Sequence, residues 1–280
     1  MVTNAVTDPS TSSTRASELA AALTSTAADL GTFGRPLYYF DEVGSTNDLA
    51  MRAAERGEPE GAVFVAGAQT AGRGRLGRHW FSPPGAGLYV STIVRRAALA
   101  PWITLAGGVV VAEGVRSATG LPVQIKWPND VVVAEGAAFR SRRKLAGILA
   151  EAASHGDRVQ YIVLGFGVNL RSAAFPPGLA DRTTSIETEL GRPIEAGPVF
   201  AGTLVALNRV TASVIEEGPS ALLARWLALS PSATGARIEW DGPGATRRSG
   251  VTVGLAADGA LLVRSGGAIE RIVSAEVRWI

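Results

Sequence analysis

Two lysines stand apart in a chain that otherwise uses arginine: of 27 Lys+Arg, only Lys126 and Lys144 are lysine. Where a generic positive charge is wanted this chain places Arg, so a retained Lys marks a site where a compact ammonium fits and a planar guanidinium does not. Both lysines sit in dense motifs. Lys126-Trp127-Pro128-Asn129-Asp130 sets an ammonium, an amide and a carboxylate within five residues at a strand end and turn. That set suits phosphates with Mg²⁺, which takes one or two carboxylates and keeps its waters. Lys144 opens the run Lys144-Leu145-Ala146-Gly147-Ile148-Leu149-Ala150-Glu151, at the mouth of a strand.

Two glycine-bearing segments complete the set. Gly72-Arg73-Gly74-Arg75-Leu76-Gly77-Arg78 contains G-x-G-x-x-G but is no dinucleotide fingerprint: Arg78-His79-Trp80-Phe81-Ser82-Pro83-Pro84 cannot open a helix. It lacks the Gly-Lys-Ser/Thr ending of a P-loop. What remains is a flexible loop with three arginines and exposed backbone N–H groups, able to close over phosphate oxygens. Trp80 and Phe81 offer a flat base something to stack on. Read alone, the loop fits a solvated basic segment that touches RNA equally well. In Gly165-Phe166-Gly167-Val168-Asn169-Leu170 both glycines lie on one strand face. A flat ligand can approach the backbone there; two bulges in a core strand are the competing reading.

The elements that must position these motifs follow from hydrophobic period and turn chemistry. Strands are expected at 37–43, 61–67, 87–94, 123–127, 131–133, 145–151 and 159–170. Helices are expected from Ser45, a cap with Asp48 three residues on, to Gly57, and over 103–118, 198–217 and 220–229. After Pro231 the period changes to short strands, 236–240, 249–255, 260–264 and 269–273, with hairpin turns at Asp258-Gly259 and Gly266-Gly267. This end reads as a small all-β barrel leaning on its neighbour.

Composition narrows the chemistry. The 280 residues are 46% hydrophobic and 19% charged, enough for a sizeable core. Cysteine is absent and there are two histidines, His79 and His155, which excludes disulfides, thiolate chemistry and histidine-rich metal sites. A net charge of +2 argues against a nucleic-acid coat or a membrane-surface protein. Residues 1–31, rich in Thr, Ser and Ala, lack a signal-peptide pattern and read as a mostly flexible tail with a weak helical stretch, 17–30. No apolar run reaches the ~20 residues of a membrane helix, so the cytoplasm is the expected location.

Gly44-Ser45-Thr46-Asn47, Gln69 through Arg78, Trp80 through Ser91, Lys126 through Asp130, Lys144 through Glu151 and Gly165 through Leu170 occur in this order across Tyr38 to Leu170. On them the chain closely resembles the biotin–protein ligases, or biotin–[acetyl-CoA-carboxylase] ligases. The resemblance implies an α+β fold: a mixed-sheet catalytic domain at 36–230 and an SH3-like β-barrel at 231–280, after a tail at 1–35. It implies that ATP activates biotin to biotinyl-5'-AMP, and that biotin then passes to a lysine of a biotin carboxyl carrier domain. Neither step needs a protein nucleophile, which suits a chain without Cys.

Carried onto these positions, Ser45, Thr46 and Gln69 hydrogen-bond the ureido ring of biotin, and Asn47, Gly147 and Gly165 complete its pocket. Gly72 and Arg73 meet the valerate and its carboxylate. Arg75 and Arg78 close over the adenylate, and Trp80 packs on adenine. Lys144, with Arg75 the expected catalytic pair, contacts the biotin carboxylate and α-phosphate. Lys126 and Asn129 serve the phosphates, Asp130 the Mg²⁺, and Asn169 lines the nucleotide end. Ser45 can equally be a plain helix cap.

The family's repressor members carry an N-terminal winged helix-turn-helix, for which the residues before Tyr38 leave no room, so no DNA partner and no membrane are expected. The Arg-rich connection 134–143 has no role in this reading, and 172–185 is a candidate second ligand-ordered loop. A lipoate–protein ligase is the nearest alternative, disfavoured by the Lys-Trp-Pro-Asn-Asp and Gly-Arg runs. A basic nucleic-acid-binding protein is the alternative from another class; it leaves Lys144 and the glycine strand unexplained.

Overall fold

The computed structural model describes residues 3–5, 9–134, 142–173, 175–242 and 246–280. A mixed eight-stranded sheet carries the motifs. Its strands are β1 (Thr3–Ala5), β2 (Leu37–Val43), β3 (Val63–Gln69), β4 (Gly87–Val94), β5 (Gln124–Lys126), β6 (Asp130–Ala134), β7 (Arg142–His155) and β8 (Arg158–Asn169). They lie in the order β1-β2-β3-β4-β8-β7-β6-β5. β1, β2 and β3 pair in parallel and the rest antiparallel.

Alternation along the strands sends side chains to two faces. Val63, Val65, Ile162 and Leu164 belong to the main core, while their neighbours Phe64 and Val163 pack with Ala50, Ala53 and Ala54 of α2 (Thr46–Glu55). The main core is covered by α3 (Ile103–Thr119), α5 (Ala196–Glu217) and α6 (Pro219–Leu229). Val109, Val110 and Val111 of α3 are fully buried, each contributing about 1.5–3 kcal/mol by leaving water. The short α4 (Ile186–Leu190) follows the segment after β8.

The expectation of a tail that contributes little is corrected by α1 (Pro9–Ser25). α1 packs on α5, and Ala16, Leu19, Leu23, Leu30 and Phe33 all join the core. Glu18 Oε1 accepts from the Gly197 N–H at 2.7 Å, near the first turn of α5. A second correction concerns α5. Its 22 residues are long and apolar enough to cross a membrane by length and composition. Most of its apolar residues are buried instead, and the helix packs against α1, α3 and α6, as expected of a helix enclosed by others; Ile215, near its end, is exposed.

The C-terminal strands β9 (Thr234–Asp241), β10 (Arg247–Leu255), β11 (Leu261–Ser265), β12 (Ala268–Ile272) and β13 (Val277–Trp279) form an antiparallel sheet in the order β12-β11-β10-β9-β13. Gly266 and Gly267 both take positive φ at the β11–β12 turn, as a tight hairpin requires. The sheet has the SH3-like character expected, but β12 and β13 remain edges, so no barrel is closed. β13 was not anticipated. Trp127, after β5, donates its indole N–H to the Gly259 carbonyl at 3.1 Å, so the Lys-Trp-Pro-Asn-Asp segment is pinned to the C-terminal sheet.

Candidate active site

One cleft of about 540 Å³ gathers Ser45, Thr46, Asn47, Gln69, Arg73, Arg75, Arg78, Trp80, Lys126, Asn129, Asp130, Lys144, Gly147, Gly165 and Asn169. Of the residues singled out in the sequence only Gly72 lies behind the wall, at the base of the loop. A Cβ there would stand 2.4 Å from the Trp80 carbonyl oxygen, so only Gly fits.

One end of the cleft is neutral and buried. The start of α2 brings Thr46 and Asn47, 3% and 5% exposed, over β3 and β4. Thr46 donates to Gln69 Oε1 through its N–H at 2.9 Å and its hydroxyl at 3.1 Å. Ser91 Oγ lies 2.9 Å from Thr46 Oγ1 and 2.5 Å from Asn47 Oδ1. Asn47 Nδ2 donates to Glu151 at 2.9 Å, and Gln69 Nε2 to Ser82 Oγ at 3.0 Å. Ser45 occupies the N-cap position of α2, but its side chain makes no capping bond. The glycine strand serves this packing. A Cβ on Gly165 would lie 2.0 Å from Asn47 Oδ1, and one on Gly167 2.3 Å from Trp80 Nε1. The glycines thus admit the side chains that line the cleft rather than leaving bare backbone.

The other end is charged. Lys144 Nζ lies 2.6 Å from Asp130 Oδ1 and 5.0 Å from the Trp80 ring centre. Burial lowers the pKa of Lys126, with Asp130 opposing the shift and Lys144 adding to it. Asn129 donates to the Ile148 carbonyl at 2.9 Å and Asn169 to that of Thr184 at 3.0 Å; both amides are therefore held from behind. The Trp80 indole N–H is buried without an acceptor among the described residues.

The Gly–Arg loop, 72–78, lies down over this end and reaches the C-terminal sheet. Arg75 meets Asn129 Oδ1 at 3.4 Å and Ser274 Oγ at 3.2 Å. Arg78 and Glu276 form a bidentate pair, one bond at 2.9 Å. The Arg78 hydrogen bond is the main cause of the lowered Glu276 pKa. Between them Leu76, 66% exposed, takes φ 58° and ψ 35°, the one non-glycine residue at positive φ among those described. Arg73, expected to meet the valerate and its carboxylate, lines the cleft with its guanidinium held between Asp48 and Glu151.

Several contributors had no assignment in the sequence. Ser91 was visible as a hydroxyl inside an apolar strand, and Glu151 as a carboxylate closing one. Asp48 was read only as a capping residue of the helix after Ser45, and Glu276 carried no signal, because their arginine partners are remote in sequence. The connection 134–143 lies largely outside the described residues, Arg140 included. Its end is described: burial pushes Arg142 down to about 10 while it stacks 4.5 Å from the Trp279 ring, and Arg143 pairs with Glu189 at 2.9 Å. Within 172–185, Phe175 meets Phe81 edge-on and the Thr184 N–H donates to the Lys144 carbonyl.

A neutral floor facing a cationic end, under one loop, suits an enzyme that activates an acid with a nucleotide. The model of the biotin/lipoate A/B protein ligase family matches residues 39–169. Over 257 residues the chain is 30% identical to the bifunctional ligase/repressor BirA of Bacillus subtilis (strain 168), covering 87% of this chain and 74% of that one. Over 243 residues it is 31% identical to the biotin--[acetyl-CoA-carboxylase] ligase of Paracoccus denitrificans, covering 83% of this chain and 96% of that one. Among solved structures, the biotin protein ligase from Aquifex aeolicus in complex with biotin and ATP has a TM-score of 0.72 at 26% identity. That match covers 88% of this chain and 99% of that one. The chain belongs to the biotin/lipoate A/B protein ligase family.

Proposed function

We propose that this chain is an ATP-dependent biotin–protein ligase, with residues 36–230 as its catalytic unit and 231–280 as an SH3-like partner to it. A carboxylate oxygen of biotin attacks the α-phosphorus of ATP, and pyrophosphate leaves. The ε-amine of a lysine on a biotin carboxyl carrier domain then attacks the biotinyl carbonyl; an amide forms, AMP leaves and the amine gives up a proton. The observation that carries this reading is the single cleft. Its neutral floor fits a ureido ring, and its two lysines, lining the same cleft, fit a carboxylate meeting a phosphate.

In this reading Ser45, Thr46, Asn47 and Gln69 hold the ureido group, with Gly147 and Gly165 giving room. The backbone of Gly72 and Arg73 meets the valerate. Lys144 and Arg75 balance the charge that develops at phosphorus, where preorganised donors act most strongly. Lys126, Asn129 and Arg78 orient the phosphates, Trp80 stacks on the base, and Asn169 closes that end. Mg²⁺ supplies charge neutralisation on the phosphates. Asp130 fits it as a single carboxylate beside the lysines, the usual protein share for a cation carried by nucleotide phosphates. ATP as co-substrate places the reaction in the cytoplasm.

The test is pyrophosphate release with ATP, Mg²⁺ and biotin, with and without a carrier domain, against the same assay with lipoate. Turnover with biotin alone supports the reading. Turnover with lipoate only, or salt-sensitive RNA binding without pyrophosphate release, overturns it.

A further inference from the structure

A circuit of hydrogen bonds joins the two ends of the Gly–Arg loop through the floor of the cleft. It starts at Arg73, whose guanidinium bridges Asp48 on α2 and Glu151 on β7. The second Glu151 oxygen accepts from Asn47 Nδ2 at 2.9 Å. The single Ser91 hydroxyl proton is shared between Asn47 Oδ1 and Thr46 Oγ1. Thr46 donates to Gln69, Gln69 to Ser82, and Ser82 to the Trp80 carbonyl at 3.1 Å, at the far end of the loop. The Trp80 N–H donates to the Gly72 carbonyl at 2.9 Å and closes the ring.

We infer that Glu151 is a positioning residue that couples occupancy of the floor to closure of the Gly–Arg loop, an inference that rests on the biotin reading above. Its two oxygens do two different things. One orients the Asn47 amide, since a carboxylate accepts only and so selects the NH₂ side. The other holds the first arginine of the loop. Gly165 leaves the Asn47 amide just enough space for this orientation, because a Cβ there would stand 2.0 Å from Oδ1. A ligand that bonds to Thr46, Asn47 and Gln69 therefore fixes Glu151, and Glu151 fixes Arg73. A purely stabilising role does not account for the ion pair: the Arg73 side chain is 44% exposed, and such pairs add little to the stability of a fold.

Glu151→Gln cuts the circuit at one point. Its amide oxygen still accepts from Asn47, while its NH₂ cannot accept from Arg73. Biotin and biotinyl-adenylate are expected to leave roughly five- to tenfold faster, the loss of one charge-assisted link. Single-turnover adenylation at saturating biotin should stay within about twofold, since KM and not the chemical step is affected. Arg73→Gln should speed release to the same degree, and release from the double variant should be no faster than from either single one. Arg73→Lys should restore part of the retention. Unchanged release in both single variants, additive losses in the double variant, or a fall in the single-turnover rate at unchanged KM would each overturn the coupling. Should Glu151→Gln fail to fold, the exposed Arg73→Gln and Arg73→Lys pair decides by the same release rates. Absence of biotin binding by the wild-type chain would sink the ligase reading and the coupling together. Binding by the wild type with unaltered variants sinks the coupling alone.

Discussion

The two ends of the cleft recognise by different physics. At the floor, Thr46, Asn47 and Ser91 are at most 5% exposed and bonded to one another, so a ligand meets donors and acceptors that are already linked. At the other end, Lys126, Lys144, Arg75 and Arg78 are counted against Asp130 and Glu276, and the surplus is positive. The floor is built by one sheet and the start of one helix. The charged end is shared between the main sheet, the loop and the C-terminal sheet, through Ser274, Glu276 and Trp279. A neutral ring needs fixed donors and acceptors in a dry place. A polyphosphate needs charge on several sides of it, and that charge is drawn from two strands of the main sheet and from the Gly–Arg loop.

The sharpest way to break this contrast is Lys144→Ala. It should cost about 3 kcal/mol in adenylation, on the order of a hundredfold, the typical loss of one preorganised donor. Lys144→Arg should recover little, because Asp130 lies 2.6 Å from Nζ and a Cβ at Gly147 would already stand 3.2 Å from it. Transfer from pre-made biotinyl-adenylate should suffer less, and single-turnover measurement of the two half-reactions tells them apart. Full activity in Lys144→Arg would defeat the claim that only an ammonium fits.

Thr46→Val removes one hydroxyl from the floor at constant shape. The expected loss is about 1 kcal/mol in biotin affinity, roughly fivefold, with KM for ATP unchanged. An equal rise in both constants would show that the two ends are not separate. Glu276→Gln should do the opposite on a smaller scale. An exposed pair is worth at most about 1 kcal/mol, so KM for ATP should rise a few-fold, more at low salt than at high. Biotin affinity measured by calorimetry should not move.

The smallest effect concerns pH. Burial lowers the pKa of Lys126, so its charge is present below that value and lost above it. The alkaline fall in kcat/KM for ATP should begin at lower pH than an ordinary lysine gives, and Lys126→Arg should move it upward. The sign for stability is reversed. Holding a buried ammonium costs the fold, and that cost is relieved as pH rises through the lowered pKa toward the unfolded value. An unshifted alkaline limb in the wild type would contradict the burial argument.

Most of the site was legible because its motifs are local. Glycines, lysines and amides sit within a few residues of strand ends, and each segment fixes its own geometry. The partners of the arginines were not legible: Arg73 reaches Glu151 across 78 residues and Arg78 reaches Glu276 across 198, and nothing local selects one carboxylate over another. Strand positions followed the hydrophobic period, but closure of a barrel depends on edge pairing, which β12 and β13 do not make. The N-terminal helix was misread on composition. Its Ser, Thr and Ala content looks like tail, yet Ala16, Leu19 and Leu23 recur at helical spacing and are buried. Deletion of residues 1–31 would remove them from the core, and soluble yield should fall.

Leu76 makes the loop dependent on its neighbours. A leucine held at φ 58° carries about 1–2 kcal/mol of backbone tension. The bonds of Arg75 to Ser274 and of Arg78 to Glu276 flank it and hold the loop against the C-terminal sheet. The resting shape of the loop is therefore borrowed from the C-terminal sheet rather than dictated by its own backbone preference.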